Sequence, residues 1–279
     1  MIENQIWLDK TIKIALEEDL GSGDLTTDAI VDPMKTGKAV LEAREDMILA
    51  GLQVFERTFK LLDYTMEFES YFIDGQTVQT GEKICIVSGP LSTILKAERT
   101  ALNFVQRMSG IATLTRKFVE KARSSDVRIV DTRKTVPGLR LFDKYSVRMG
   151  GGYNHRMGLF DGILIKDNHI AAAGSISRAV TLAKEKAPHT IKVEVEVEDL
   201  EGLQEAIDAG ADMVLLDNMK ADIIKKAVKI AEGRVITEAS GGIMLDNIHE
   251  IASTGVNLIS IGALTHSATS VDVSLEVII

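Results

Sequence analysis

From residue 127 onward the chain repeats one grammar: a short apolar run, a polar or glycine-rich exit, then an amphipathic stretch. Six such runs occur, VRIVDT (127–132), GILIKDN (162–168), IKVEVEV (191–197), DMVLLDN (212–218), RVITEAS (234–240) and NLISIGA (257–263). Amphipathic stretches at 175–187, 199–209, 220–231 and 245–254 fill most of the gaps. Short strands alternating with helices of this length are the pattern of parallel β/α units. A complete eight-fold barrel takes about 250 residues, so residues 128–279 predict an open, incomplete β/α barrel.

The first part of the chain reads differently. Leu8, Ile12, Ala15 and Leu16 share one face of a helix over Ile6–Glu18, which stops at Gly21-Ser22-Gly23-Asp24. Asp24, Thr26 and Thr27 are available to cap the next element. Residues 37–43 predict a strand, and 51–63 a helix with Val54, Phe55, Phe59 and Leu62 inward. Residues 64–88 predict strand-turn-strand, with Asp74-Gly75 as the hairpin signal and Thr80-Gly81 as a second turn. Pro90 opens a long helix over 91–122, interrupted near Ser109-Gly110. The expected division is an N-terminal α/β sandwich domain over 1–107 and an α/β barrel over 108–279. The last segment, about 270–279, alternates like a strand returning to the first domain.

A net charge of −9 and a pI near 5.2 argue against nonspecific nucleic-acid or membrane binding. The single cysteine, Cys85, excludes an intramolecular disulfide framework and a multi-cysteine metal site. The apolar-leaning uncharged run Ile84–Leu95 is too short to span a bilayer. The opening MIENQIWLDK lacks a signal-peptide apolar region, and a cytoplasmic protein is the default expectation.

Residues 128–169 run against this acidic background. They hold eight Lys or Arg against four Asp, with His155 and His169 besides. A positive island on an acidic chain suggests a small anionic ligand held in one place. Gly150, Gly151 and Gly152 would allow close backbone approach. The apolar runs also end in chemistry: Asp131 to Lys134, Lys166-Asp167-Asn168, Glu194 and Glu196, Asp217-Asn218, Glu238 to Gly242, and Gly262-Ala263. Parallel β/α architectures place their sites at the carboxyl ends of strands. Period two puts Lys192, Glu194 and Glu196 on one face of IKVEVEV, toward the barrel, with the valines toward the helices. A carboxylate at the barrel mouth suits ribose hydroxyls or Mg²⁺, and the glycines after the last two runs suit a phosphate cradle. His249 and His266 read as structural or surface residues. No His/Cys/carboxylate triplet has zinc spacing, and neither Gly-x-Ser-x-Gly nor Gly-x-x-x-x-Gly-Lys occurs.

Together, EDLGSGDLTT (18–27), ERTALNFVQRMSGIAT (98–113), DTRKTVPGLR (131–140), GGGYNHRMGLFDGILIKDNH (151–169), EVEV (194–197), LLDN (216–218), EASGGI (238–243) and ISIGALTHS (259–267) resemble the quinolinate phosphoribosyltransferase family over nearly the whole chain. The resemblance implies transfer of phosphoribose from phosphoribosyl pyrophosphate to quinolinate, with decarboxylation, in NAD biosynthesis. The products would be nicotinate mononucleotide, pyrophosphate and CO₂. It further implies Mg²⁺, no organic cofactor, and a homodimer in which Arg99 reaches the partner's site. Position by position, Thr132, Arg133, Lys134, His155, Arg156 and Lys166 would bind quinolinate's carboxylates and the pyrophosphate. Glu196 and Asp217 would hold ribose hydroxyls or Mg²⁺. Ser240, Gly241 and Gly242, with Ile261, Gly262 and Ala263, would cradle the 5′-phosphate. Lys134, Lys166, Glu196 and Asp217 are the candidate catalytic residues. A paralogous phosphoribosyltransferase-like protein, such as the related molybdenum-transport-associated protein, is the alternative within the fold. A Schiff-base role for Lys166 and a non-enzymatic anion-binding role are the readings outside it.

Overall fold

The structure is a computed structural model that describes residue 2, residues 4–123 and residues 126–278. Its contacts separate into two compact units. The first comprises 1–116, 135–151 and 264–279, and the second comprises 117–134 and 152–263. Elements are numbered in chain order throughout.

The first unit opens with α1 (Gln5–Leu20), whose Leu8, Ile12 and Leu16 are buried at four-residue spacing. The Asn4 side chain caps it by accepting from the Trp7 N–H. In α2 (Leu25–Ile30) the capping is done by Asp24, which accepts from the N–H groups of Thr26 and Thr27. Then come β1 (Thr36–Ala43), β2 (Met47–Ile48), α3 (Leu52–Leu62), β3 (Glu67–Ser70), β4 (Thr77–Val78), β5 (Lys83–Pro90) and α4 (Leu91–Ala122). The boundary between the units falls within α4.

Three sequence expectations for this unit need correction. Leu62 ends α3 and is 38% exposed, whereas Val54, Phe55 and Phe59 are buried. Asp74-Gly75 does turn the chain, but no hairpin joins its flanking strands: β3 pairs with β5, and β4 pairs with β2. Asp74 instead caps α3 from a distance, accepting from the N–H groups of Gly51 and Leu52 at 3.0 Å each. Nor is α4 interrupted at Ser109-Gly110. The Ser109 hydroxyl bonds the backbone of Ala50, and a Cβ on Gly110 would lie 2.1 Å from the carbonyl oxygen of Thr269. Ser-Gly here marks close packing, not a break.

The second unit contains β6 (Arg128–Val130), and the chain then passes through α5 (Arg140–Met149), which belongs to the first unit. Back in the second unit follow β7 (Ile163–Ile165), α6 (Asp167–Ala173), α7 (Ile176–Lys186), β8 (Val193–Val197), α8 (Leu200–Asp208), β9 (Met213–Asp217), α9 (Ala221–Ala231), β10 (Ile236–Ser240), α10 (Ile248–Ala252) and β11 (Leu258–Ser260). The six strands pair in parallel in the order β6-β11-β10-β9-β8-β7. The sheet is the open β/α barrel that the repeat predicts. Strands buried by helices need apolar side chains on the helix-facing side, and Val193, Val195, Val197, Val214 and Leu216 supply them.

The chain ends with α11 (Ala263–His266) and β12 (Val273–Ile278). In the first unit β12 joins an antiparallel sheet in the order β12-β1-β5-β3, pairing Leu275 with Leu41. Thus 135–151 and 264–279 come after residue 107 in the chain yet pack in the first unit.

Candidate active site

The carboxyl ends of β6, β7, β8 and β9 carry the charged side chains. After β6, Asp131 is fully buried, and its carboxylate accepts from the His155 N–H at 2.9 Å and from Asn154 Nδ2 at 2.6 Å. Tyr153 adds backbone bonds to Ile129 and Asp131, which lays the 152–156 loop along the end of β6. Thr132 Oγ1 accepts from the Lys134 N–H and shapes the turn that presents Arg133 and Lys134, both exposed. Arg156 donates through Nη1 to the carbonyl of Gly162 at 3.0 Å. Burial lowers the Arg156 pKa, and the positive charge of Arg133 lowers it further; Glu194 and Asp161 act in the opposite sense. Two guanidinium groups close enough to disfavour each other make a site that attracts anions.

Lys166 lies just beyond β7 as the N-cap of α6, and its N–H donates to His169 Nδ1 at 2.9 Å. His169 therefore shapes the turn that holds Lys166. The Lys166 ammonium forms an ion pair with Glu196 on β8. At the end of β9, Asp217 accepts from the Asn218 side chain at 2.7 Å, and Asn218 adopts a left-handed backbone. The Asn218 N–H donates to the Ser240 carbonyl, tying the exits of β9 and β10 together. Gly241 has φ +87°, and a Cβ there would sit 2.2 Å from Asn218 Oδ1. Only glycine fits that turn. After β11, Ile261 is buried with its N–H on the Val130 carbonyl, and Gly262 and Ala263 begin the turn into α11.

Thr132, Arg133, Lys134, Lys166, Glu196, Asp217, Ser240, Gly241, Gly242, Ile261, Gly262 and Ala263 thus follow or end strands of this one sheet, at its carboxyl edge, and the loop between α5 and β7 brings His155 and Arg156 to the end of β6. Arg99 is exposed on α4, in the first unit. The positive island seen in the sequence is divided in space. Arg140, Lys144 and Arg148 lie on α5 in the first unit, with Lys144 fully buried there, and Arg128 begins β6 at its amino end, stacked on the Tyr153 ring. Gly150 meets α4, not a ligand: a Cβ would lie 2.5 Å from the Ala112 carbonyl oxygen. Lys192 precedes β8 and is exposed, lining a cavity at the amino ends of the strands with Arg128, Met213 and Asn257. Of the three charges on the IKVEVEV face, only the two glutamates point along the sheet toward the site.

Beneath His155 lies a layer that local sequence spacing does not reveal. His155 Nε2 is 3.1 Å from Glu194 Oε2 and 3.6 Å from Glu238 Oε1, and both carboxylates are buried. His155 Nδ1 accepts from the Arg156 N–H at 2.7 Å. These contacts turn the ring inward, whereas the sequence reading aims it at the ligand. Burial raises the Glu238 pKa to about 7, with the Glu194 charge adding to the rise and His155 opposing it. One His and two Glu here meet as potential metal-ligating atoms, although the sequence holds no triplet with zinc spacing. The visible signal was an acidic residue inside each of two strand-forming runs, Glu194 in IKVEVEV and Glu238 in RVITEAS.

A family model for the quinolinate phosphoribosyl transferase N-terminal domain matches residues 24–109, and one for the C-terminal domain of the same family matches 111–276. The chain belongs to the quinolinate phosphoribosyltransferase family. It is 45% identical over 274 residues to a probable nicotinate-nucleotide pyrophosphorylase [carboxylating] of Bacillus subtilis, covering 98% of this chain and 94% of that one. It is 42% identical to a quinolinate phosphoribosyltransferase [decarboxylating] of Nicotiana tabacum, over 97% of this chain and 82% of that one. The solved nicotinate-nucleotide pyrophosphorylase of Francisella tularensis superposes with a TM-score of 0.94 at 43% identity, covering 98% of this chain and 96% of that one. Relatives named for this one reaction, at 45% and 42% identity over almost the whole chain, disfavour the paralogue reading.

Proposed function

We propose that this strand-end cluster carries out the reaction of its family: phosphoribosyl transfer to quinolinate with loss of CO₂. The single observation that carries the assignment of the site is the convergence of Arg133, Arg156 and Lys166 with Glu196 at one edge of the barrel sheet. Quinolinate is a dicarboxylate and phosphoribosyl pyrophosphate is highly anionic, so a dense cationic site offsets their repulsion. Guanidinium groups also bind planar carboxylates through paired hydrogen bonds.

In the proposed mechanism the pyridine nitrogen attacks the anomeric carbon as the bond to pyrophosphate breaks through an oxocarbenium-like state. The carboxylates of Glu196 and Asp217 hold the ribose and stabilise that positive charge, while Lys134 and Lys166 neutralise the departing pyrophosphate. The bond to the 2-carboxylate then breaks. Its electron pair passes toward the pyridinium nitrogen, CO₂ leaves, and a proton takes its place on the ring. Backbone N–H groups at 240–242 and 261–263 cradle the 5′-phosphate. The hard oxygens of Glu196 and Asp217 suit Mg²⁺, which takes one or two protein carboxylates and otherwise substrate phosphates. When bound it would supply charge neutralisation on pyrophosphate.

The assembly in this reading is a homodimer whose Arg99 completes the partner's quinolinate site. A cytoplasmic setting fits a chain with a single cysteine, and among the described residues no helix is long and apolar enough to cross a membrane. The direct test supplies quinolinate, phosphoribosyl pyrophosphate and Mg²⁺ and monitors nicotinate mononucleotide. Nicotinate in place of quinolinate should give little product. Binding of phosphoribosyl pyrophosphate without release of pyrophosphate on adding quinolinate would refute the enzymatic reading.

A further inference from the structure

Residues 156–162 form a closed loop that leads into β7. Arg156 Nη1 donates across its neck to the Gly162 carbonyl at 3.0 Å. A Cβ on Gly162 would lie 3.2 Å from Arg156 Cβ and 3.5 Å from its Cδ, so the arginine stem runs against the Gly162 backbone. Inside the loop, the Asp161 carboxylate accepts from the Met157 N–H at 2.7 Å through Oδ2 and from the Gly158 N–H at 2.8 Å through Oδ1. One side chain thus fastens the two N–H groups that directly follow Arg156.

Apolar packing contributes little to the shape of this loop. Its tip residues Leu159 and Phe160 are 73% and 82% exposed, so they bury little surface on folding. A negative charge beside a site for anions opposes ligand binding, and the charge of Asp161 is felt at Arg156. What Asp161 adds to such a site is therefore geometry. Arg156 commits Nη1 to Gly162, and among the described residues no acceptor meets its Nε or Nη2. Those two donors form the side edge of the guanidinium, a fork that grips both oxygens of a planar carboxylate.

We propose that Asp161 is a positioning residue for quinolinate: by fastening Met157 and Gly158 it keeps the loop closed, so that the Gly162 carbonyl fixes Arg156 Nη1 and the Nε–Nη2 edge is set for a carboxylate of the pyridine. Both Asp161 oxygens are engaged on the loop, and the residue acts through Arg156. A long side chain that must be ordered at the moment of binding weakens binding, whereas one held beforehand does not. The effect falls on the quinolinate end of the site. The proposal rests on the reading that Arg156 holds quinolinate.

The test compares Asp161→Ala, Asp161→Asn, Gly162→Ala, Arg156→Ala and the double variant Asp161→Ala, Arg156→Ala in the full chain with Mg²⁺. Steady-state kinetics in each substrate and calorimetric titration of quinolinate are the readouts. Asp161→Ala should raise the KM for quinolinate about tenfold and leave that for phosphoribosyl pyrophosphate within about twofold. Asp161→Asn keeps one acceptor oxygen for the two N–H groups and should fall between Ala and wild type. Gly162→Ala crowds the arginine stem with the Asp161 charge in place, and should raise the same KM. In the Arg156→Ala background, Asp161→Ala should change quinolinate affinity less than about twofold, since the group it positions is gone. A quinolinate KM that stays or falls in folded Asp161→Ala, as it would if charge were the whole effect, would overturn the proposal. So would equal rises in both KM values, or a full tenfold effect retained without Arg156. Unchanged quinolinate affinity in Arg156→Ala would instead refute the underlying reading that Arg156 binds quinolinate, and the proposal with it.

Discussion

Arg107 and Asp143 form a two-pronged ion pair within the first unit, Nε to Oδ1 at 3.0 Å and Nη2 to Oδ2 at 2.9 Å. Arg107 also donates to the Thr265 carbonyl, and Asp143 also accepts from the Val136 N–H. The Asp143 carboxylate is fully buried, and burial raises its pKa while Arg107 opposes the rise. Removing the cation leaves an uncompensated buried charge, so Arg107→Ala should cost about 3–5 kcal/mol in urea unfolding. The double variant Arg107→Ala, Asp143→Ala should lose less than the two single losses added together; strict additivity would show that the pair contributes no coupling.

Arg133 and Lys166 are exposed residues just beyond strand ends, the Lys166 side chain 46% so. Arg133→Ala and Lys166→Ala should each lower kcat/KM by about 10²-fold or more, with unfolding free energy within about 0.5 kcal/mol of wild type. Full activity in either folded variant would contradict the site.

Stability should depend on pH through Glu238. Its folded pKa of about 7 lies above its ordinary value of 4.5, so the folded state binds the proton more tightly. That contribution is fully present below pH 4.5 and is lost as pH rises through 7, by up to about 3 kcal/mol. Thermal melts from pH 4.5 to 7.5 should therefore show a falling component that Glu238→Gln flattens. An identical slope in the variant would remove Glu238 from the cause.

Gly241→Ala should disturb the phosphate end selectively. Its φ of +87° is unfavourable for alanine, and the added Cβ meets Asn218. A cost above about 1 kcal/mol in stability is expected, with KM for phosphoribosyl pyrophosphate rising more than KM for quinolinate. A shift confined to quinolinate would count against the cradle.

Arg99 gives a test of the shared site. Inactive Arg99→Ala and Lys166→Ala subunits, mixed and verified as heterodimers, should regain part of the activity, because one site in each pair would then hold both residues intact. No recovery would remove the support for a borrowed Arg99.

The sequence alone carried the alternation of strands and helices, the polar strand exits and the family, because each is a local or ordered pattern. It misread the Asp74-Gly75 turn, since a turn signal does not say which strands it joins, and Asp74 spends its carboxylate on the start of α3. It also treated the basic island as one surface, although Lys144 is buried in another unit from Arg156.

Residue order determined which side chains leave the sheet at its carboxyl edge: strand length and period two settle that without any distant partner. Only tertiary structure decided which of them meet. Glu194, Glu238 and His155 come from two strands and a loop, so their contact depends on strand order and sheet curvature, and it is burial there that raises the Glu238 pKa.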